Sequence, residues 1–135
     1  KGGVDMFISE AIETADKLKP NAYTREDKVK WLSDIDKQIF LEIIVTHVPP
    51  EETESLRIDS FTGYGPETDI ENTELLAPSP FDEIYIHGLK RQIDLHNEEY
   101  SKYNNDCLLF NSAYTNFYDW YNRENTPKGE AAFKL

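Results

Sequence analysis

One hundred and thirty-five residues are enough for a single domain with a sizeable core. Fourteen Lys and Arg against 26 Asp and Glu leave a net charge of −12, which excludes a surface that grips nucleic acid or anionic lipid through phosphates. A lone cysteine, Cys107, excludes an intrachain disulfide and suits a reducing compartment. No apolar run approaches the ~18 residues of a membrane span, and the first residues lack a signal-peptide core, so the expectation is a cytoplasmic site of synthesis. Eight Tyr, seven Phe and two Trp point to a bulky core and leave aromatic side chains for contacts.

The first element in chain order is a short helix over 8–18, in which Ile8, Ala11, Ile12, Ala15 and Leu18 recur at helical spacing before Pro20-Asn21 stops the pattern. Thr24 then caps a second helix over 25–47, with Glu26 and Asp27 in its first turn and an apolar face of Leu32, Ile35, Ile39 and Ile43 flanked by Trp31, Phe40 and Ile44. Pro49-Pro50 end it.

Residues 48–79 read as an irregular acidic loop. Eight acids, among them Glu67, Asp69, Glu71 and Glu74, face the single base Arg57, which accounts for −7 of the −12. Gly63, Gly65 and four prolines break any regular element, and residues 56–61 leave room for one short strand. A loop this long is either a functional segment or simply solvated.

Ser79-Pro80-Phe81-Asp82-Glu83 carries the marks of a helix start, with a cap, a proline in the first turn and acids at the positive end of the dipole. From there Leu89, Ile93, His96, Tyr100, Tyr103, Cys107, Phe110, Tyr114, Phe117 and Tyr121 keep an alternating four-three spacing, a heptad seam without a slip. The expected fold is mainly α: one helical domain with helices over 8–18, 25–47 and 80–123, the last being one long helix or a kinked pair. Unbroken, that last helix would be about 65 Å long at 1.5 Å per residue. A compact chain of this size has a diameter of only about 37 Å. The unbroken phase favours continuity and hence coverage by neighbouring subunits. A break at Gly88 or at His96-Asn97, where helix propensity is poor, would make the stripe the core of a monomeric bundle instead.

Signals for chemistry are weak. His47, His87 and His96 lie far apart and outside any HExxH or Glu-x-x-His arrangement, so no metal site is expected. Gly63-Tyr64-Gly65 reads as a turn, since no phosphate-binding glycine pattern is present. Cys107 sits on the apolar seam, where a buried thiol is inert. No cofactor and no catalytic residue is expected. On the aromatic preference of interface centres, Trp31, Tyr114, Phe117 and Trp120 are the candidate anchors for packing or for an interface.

The segments AYTREDKVKWLSDIDKQIFLEII (22–44) and LLAPSPFDEIYIHGLKRQIDLHNEEYSKYNNDCLLFNSAYTNFYDWYNR (75–123) resemble the head-tail connector, or head completion adaptor, family of tailed phages and prophages of Gram-positive bacteria. The resemblance covers about 70 of the 135 residues. Its elements are the KxxWLSDID run, the LLAPxPFDEIY start and the YNND, FNSAY and WYNR tail, while Gly88 departs from a regular long helix. It implies a non-enzymatic helical adaptor that forms a dodecameric ring on the portal and meets a tail-side connector protein. It further implies assembly in the bacterial host cytoplasm, residence at the virion head-tail junction, and passage of DNA without specific binding. From the residues alone, a small helical regulatory or adaptor protein with one cellular partner stands beside it, with the last segment folded into a hairpin.

Overall fold

The computed structural model describes residues 5–47 and 61–125. These residues are mainly helical and hold no strand; the proposed strand over 56–61 and the acids Glu51, Glu52, Glu54 and Asp59 fall almost wholly outside them. Helix α1 runs Ile8–Leu18 and starts where the Glu10 side chain accepts the Phe7 N–H at 2.8 Å. It buries Ile8, Ala11, Ile12 and Ala15, the expected stripe, but Leu18 at its end is 60% exposed.

Helix α2 runs Arg25–Ile39, and the Thr24 hydroxyl accepts the Asp27 N–H at 3.1 Å, as its cap pattern requires. The helical path continues to residue 47, but as a π turn over Phe40–Ile44 and a 3-10 turn over Val45–His47. The wide turn re-phases the face, so that Ile39, Phe40 and Ile43 are all buried while Leu41 is turned out, 49% exposed.

Residues 61–79 are not a free loop. The Leu75 N–H donates to the Met6 carbonyl (2.9 Å), the Ile8 N–H to Thr73 (3.0 Å), and Phe7 pairs with Glu74 as an isolated antiparallel bridge. Leu75 and Ala77 thereby enter the core, which explains why an acidic stretch can lie ordered against α1.

Helix α3 spans Glu83–His96, three residues later than the cap pattern at Ser79 implies. The Phe81 N–H bonds instead to the Pro78 carbonyl at 2.7 Å, a turn that lays the Phe81 ring on Phe117 and Trp120. Helix α4 spans Tyr100–Glu124, and the chain reverses between the two through Asn97, Glu98 and Glu99. The Asn97 N–H reaches Ile93, that of Glu98 reaches Leu95, and that of Glu99 reaches Asp94, which satisfies the last carbonyls of α3.

Of the two forms expected for the last segment, the continuous helix favoured by the unbroken phase gives way to the pair, broken at His96-Asn97 and folded into an antiparallel hairpin. Each arm buries the same seam toward the other, so four-three spacing holds in both arms, and the three-residue turn keeps the count. Only His96 and Tyr100, beside the turn, leave the seam exposed. With 25 residues α4 is about 38 Å long, so it fits the chain's own diameter, and helix length no longer calls for neighbours. Gly88 does not break α3; a Cβ there would lie 2.4 Å from Ile35 Cδ1 and 3.4 Å from Phe110, so the glycine sits where side chains of α2 and α4 close on α3.

Glu98 holds the turn with φ of +61°, a left-handed conformation that costs a non-glycine residue about 1–2 kcal/mol. Glu98→Gly removes that cost against about 0.5–1 kcal/mol of added chain entropy. The variant is expected to be more stable by about 0.5–1 kcal/mol, read as a rise in thermal midpoint by circular dichroism.

Candidate interaction surface

The longest helix contributes least to the core. Along α4 only Asp106, Phe110 and Phe117 are buried, because one side of the helix packs mainly on α3 and the other meets solvent. Its inner side is anchored by the stack of Phe117 on Phe81, Trp120 and Tyr121 and by Arg91, whose guanidinium lies 3.7 Å over the Phe110 ring. At the far end His47 Nε2 meets the Asn122 side chain at 2.5 Å, and the Tyr114 hydroxyl donates to Glu42 at 2.7 Å, tying α4 to the 3-10 turn and the π turn. That hydrogen bond and burial push the Tyr114 phenol upward, burial being the larger cause.

The outer side is unusual for a chain in which 30% of residues are charged. Between Lys102 and Asp119 the only charged residue is Asp106, which points inward, so the exposed face is neutral for about 24 Å. It presents Asn104, Asn105, Asn111 and Asn116 with Ser112 and Thr115 around Leu108, which is 69% exposed, with Leu109 and Tyr118 on its flanks. A groove of about 230 Å³ runs on the Leu109 side, between Ala113 and Phe81, and a shallower one of about 350 Å³ lies between Tyr118, Tyr114 and Glu42. His87 lines the first groove 3.6 Å from Glu83, and burial, aided by Lys90, lowers its pKa. Depletion of charge with retained aromatic side chains is a mark of an interface centre.

Comparison of the chain with protein-family models, with curated proteins and with solved structures finds no match.

The anchors expected from aromatic preference do not form one surface. Phe117 is 1% exposed, inside the core. Trp120 lies half-buried on Phe81, and Tyr114 on the flank toward α2. Trp31 sits at the opposite end, in a ring cluster with Tyr23 (5.8 Å) and His96 (5.3 Å). Of the acidic set, Glu67, Asp69 and Glu71 are exposed and Glu74 is half-buried at the bridge to Phe7. No group of three His, Cys, Asp or Glu that could hold a metal occurs among the described residues, and no helix there is long and apolar enough to cross a membrane. Cys107 is half-buried on the seam.

Two buried acid sites were missed from sequence. Asp36 is fully buried and accepts hydrogen bonds from the Tyr64 hydroxyl, the Tyr85 hydroxyl (2.5 Å) and the Leu76 N–H (3.1 Å), while the Tyr85 oxygen accepts from Ala77 N–H at 2.7 Å. Burial raises its pKa to about 6 against the pull of those donors. Across the hairpin, near the turn, Asp106 faces Asp94, which is closed off by the Lys19 ammonium at 2.9 Å. Burial first, and the Asp94 carboxylate second, raise Asp106 to about 7. Asp94 is fully buried and Asp106 3% exposed, so both carboxyls are closed to an incoming substrate.

Proposed function

We propose that this chain is a structural adaptor of the tailed-phage head-tail connector type, which assembles with copies of itself and with portal and tail-side proteins. The observation that carries the reading is the neutral outward face of α4 around Leu108, since a chain at −12 can approach like-charged copies at least cost where it presents no carboxylates. The resemblance of residues 22–44 and 75–123 to that family supports it, as does an acidic surface past which DNA slides without sticking.

Co-expression with the portal and capsid proteins of a tailed phage of Gram-positive bacteria tests the reading. Co-purification with the portal is expected, and failure to co-purify with any of them overturns it. Leu108→Glu places a charge at the centre of the face on an exposed site. It is expected to change stability by no more than about 0.5 kcal/mol while weakening co-assembly at least about tenfold. Neutralising Glu67, Asp69, Glu71 and Glu74 together is expected to reduce DNA retention in assembled particles, measured as packaged DNA per particle; unchanged particles would remove the acidic segment from the mechanism.

A second reading, a small helical adaptor that binds one cellular protein as a monomer or dimer, is favoured by the hairpin, which lets α4 pack within the chain's own dimensions. It predicts no ring with the portal and a single captured partner whose binding is also lost in Leu108→Glu.

A further inference from the structure

The segment after residue 60 touches α2 closely at one level and leaves it at the next. Gly63 lies so near that a Cβ would sit 2.1 Å from Ser33 Oγ, and its φ of +88° suits glycine. The Tyr64 N–H donates to Ser33 Oγ at 2.9 Å, and its hydroxyl reaches Asp36. Farther on, the Ile70 carbonyl accepts the Ser9 N–H at 3.0 Å, which fixes the segment to α1. Between these two attachments Gly65 and Thr68 close a turn on each other: the Gly65 N–H donates to Thr68 Oγ1 (2.8 Å) and the Thr68 N–H to the Gly65 carbonyl (3.1 Å). The turn spans the first two turns of α2 without filling the space, and a cleft of about 370 Å³ remains.

The cleft combines an apolar floor with a cationic wall. Val29, Tyr64 and Ile70 supply the floor, and Arg25 and Lys30 stand on the α2 side, with Glu26 the one acid in the lining. That is a local reversal of sign in a chain of net −12. Lys30 reaches Asp34 at 3.2 Å, but both side chains are exposed, so the pair holds the ammonium weakly. Arg25 makes no hydrogen bond or ion pair among the described residues. An uncommitted guanidinium beside an apolar floor matches a planar carboxylate carried on an apolar body, and the volume lies within the ~300–1,000 Å³ of ligand sites.

We propose that this cleft binds an organic carboxylate with an apolar body of about one aromatic ring. The body rests on Val29, Tyr64 and Ile70, and the carboxylate meets Arg25 and Lys30. A free aryl acid and the hydrophobic C-terminal residue of a peptide share this chemistry. The assignment is independent of the adaptor reading and stands or falls on its own.

The test is a titration of the full chain followed by NMR, with phenylacetate for the free acid, N-acetylphenylalanine for the peptide terminus and N-acetylphenylalaninamide as the uncharged control. Saturable shifts centred on Val29, Tyr64 and Ile70 are expected with at least one acid, and the tighter of the two identifies the source. Binding is expected to weaken at least about tenfold for the amide and for Arg25→Gln, an exposed site in the first turn of α2 where losing a positive charge suits the helix dipole. Gly65→Val, whose Cβ meets nothing within 4 Å, is expected to keep the fold and narrow the mouth, weakening both acids. No saturable shift with either acid, equal binding of the amide, or binding indifferent to both Arg25→Gln and Lys30→Gln overturns the assignment.

Discussion

Asp36→Ala is expected to lose about 3–5 kcal/mol of stability, a large part of a ~5–15 kcal/mol margin. The carboxylate joins three parts of the chain: its own helix α2, α3 through Tyr85, and the 61–79 segment through Tyr64 and Leu76. Removing it strands the buried Tyr85 hydroxyl and takes the acceptor from the half-buried Tyr64 hydroxyl and Leu76 N–H, and each buried unpaired donor costs about 1–3 kcal/mol. Asp36→Asn keeps one acceptor oxygen and offers its amide to the phenol oxygens, so it is expected to cost clearly less. Urea denaturation compares the two with Asp34→Ala, an exposed site paired to Lys30 where the change should stay within about 0.5 kcal/mol. A loss at Asp36→Ala no larger than at Asp34→Ala would show that the hub does not hold the fold.

The second large effect is a stabilisation. The folded chain holds protons on Asp106 up to a pKa of about 7 and on Asp36 up to about 6, whereas an unfolded aspartate releases its proton near 3.8. Both contributions are therefore complete below the unfolded value and are lost as pH rises through 6 and 7. The protein is expected to unfold at a higher temperature at pH 5 than at pH 8. Asp106→Asn removes the carboxylate forced to ionise beside Asp94 and supplies an amide that can donate to it. At pH 8 the variant is expected to gain about 2 kcal/mol, beneath a ceiling of about 4 kcal/mol set by the size of the shift, and to gain clearly less at pH 5, the difference vanishing toward the unfolded value of 3.8. Thermal melts across pH 5 to 8 decide it: a variant less stable than the parent at pH 8 would mean that the pair is held by its hydrogen bonding and not opposed by its charge.

Helix periodicity and caps made α1 and α2 legible because they depend on neighbours within one turn, and the Thr24 cap and the Ile8 to Ala15 stripe needed no tertiary information. The direction of the last segment was not legible in the same way. A seam spacing is satisfied equally by a straight helix and by two arms that face each other, so the choice rested on the turn, where the poor helix propensity of His96-Asn97 marked a place for a break but a left-handed Glu98 gives no signal for a reversal of the kind a glycine would. The buried acids did leave a trace. Asp36 lies four residues after Leu32 and three before Ile39, and Asp106 three after Tyr103 and four before Phe110, so both fall on apolar faces where a carboxylate needs a partner. Their partners come from distant segments, which periodicity cannot supply. The neutral face of α4 was present as twelve consecutive uncharged residues, 107–118, but a helix shows which side they serve only once its packing is known. The cleft over α2 has no local signal, since it depends on where the Gly65 turn leaves the helix.

The three-residue reversal at Asn97, Glu98 and Glu99 has a consequence for how this chain can diverge. Its length sets the rotational phase of α4 relative to α3, and one residue more or fewer turns the following helix by about 100°. That shift would carry Leu108 and the asparagines toward α3 and bring Phe110 and Phe117 out to water. A change of length in the turn therefore acts on the packing of the whole of α4 at once, whereas a substitution on its exposed face acts at a single position.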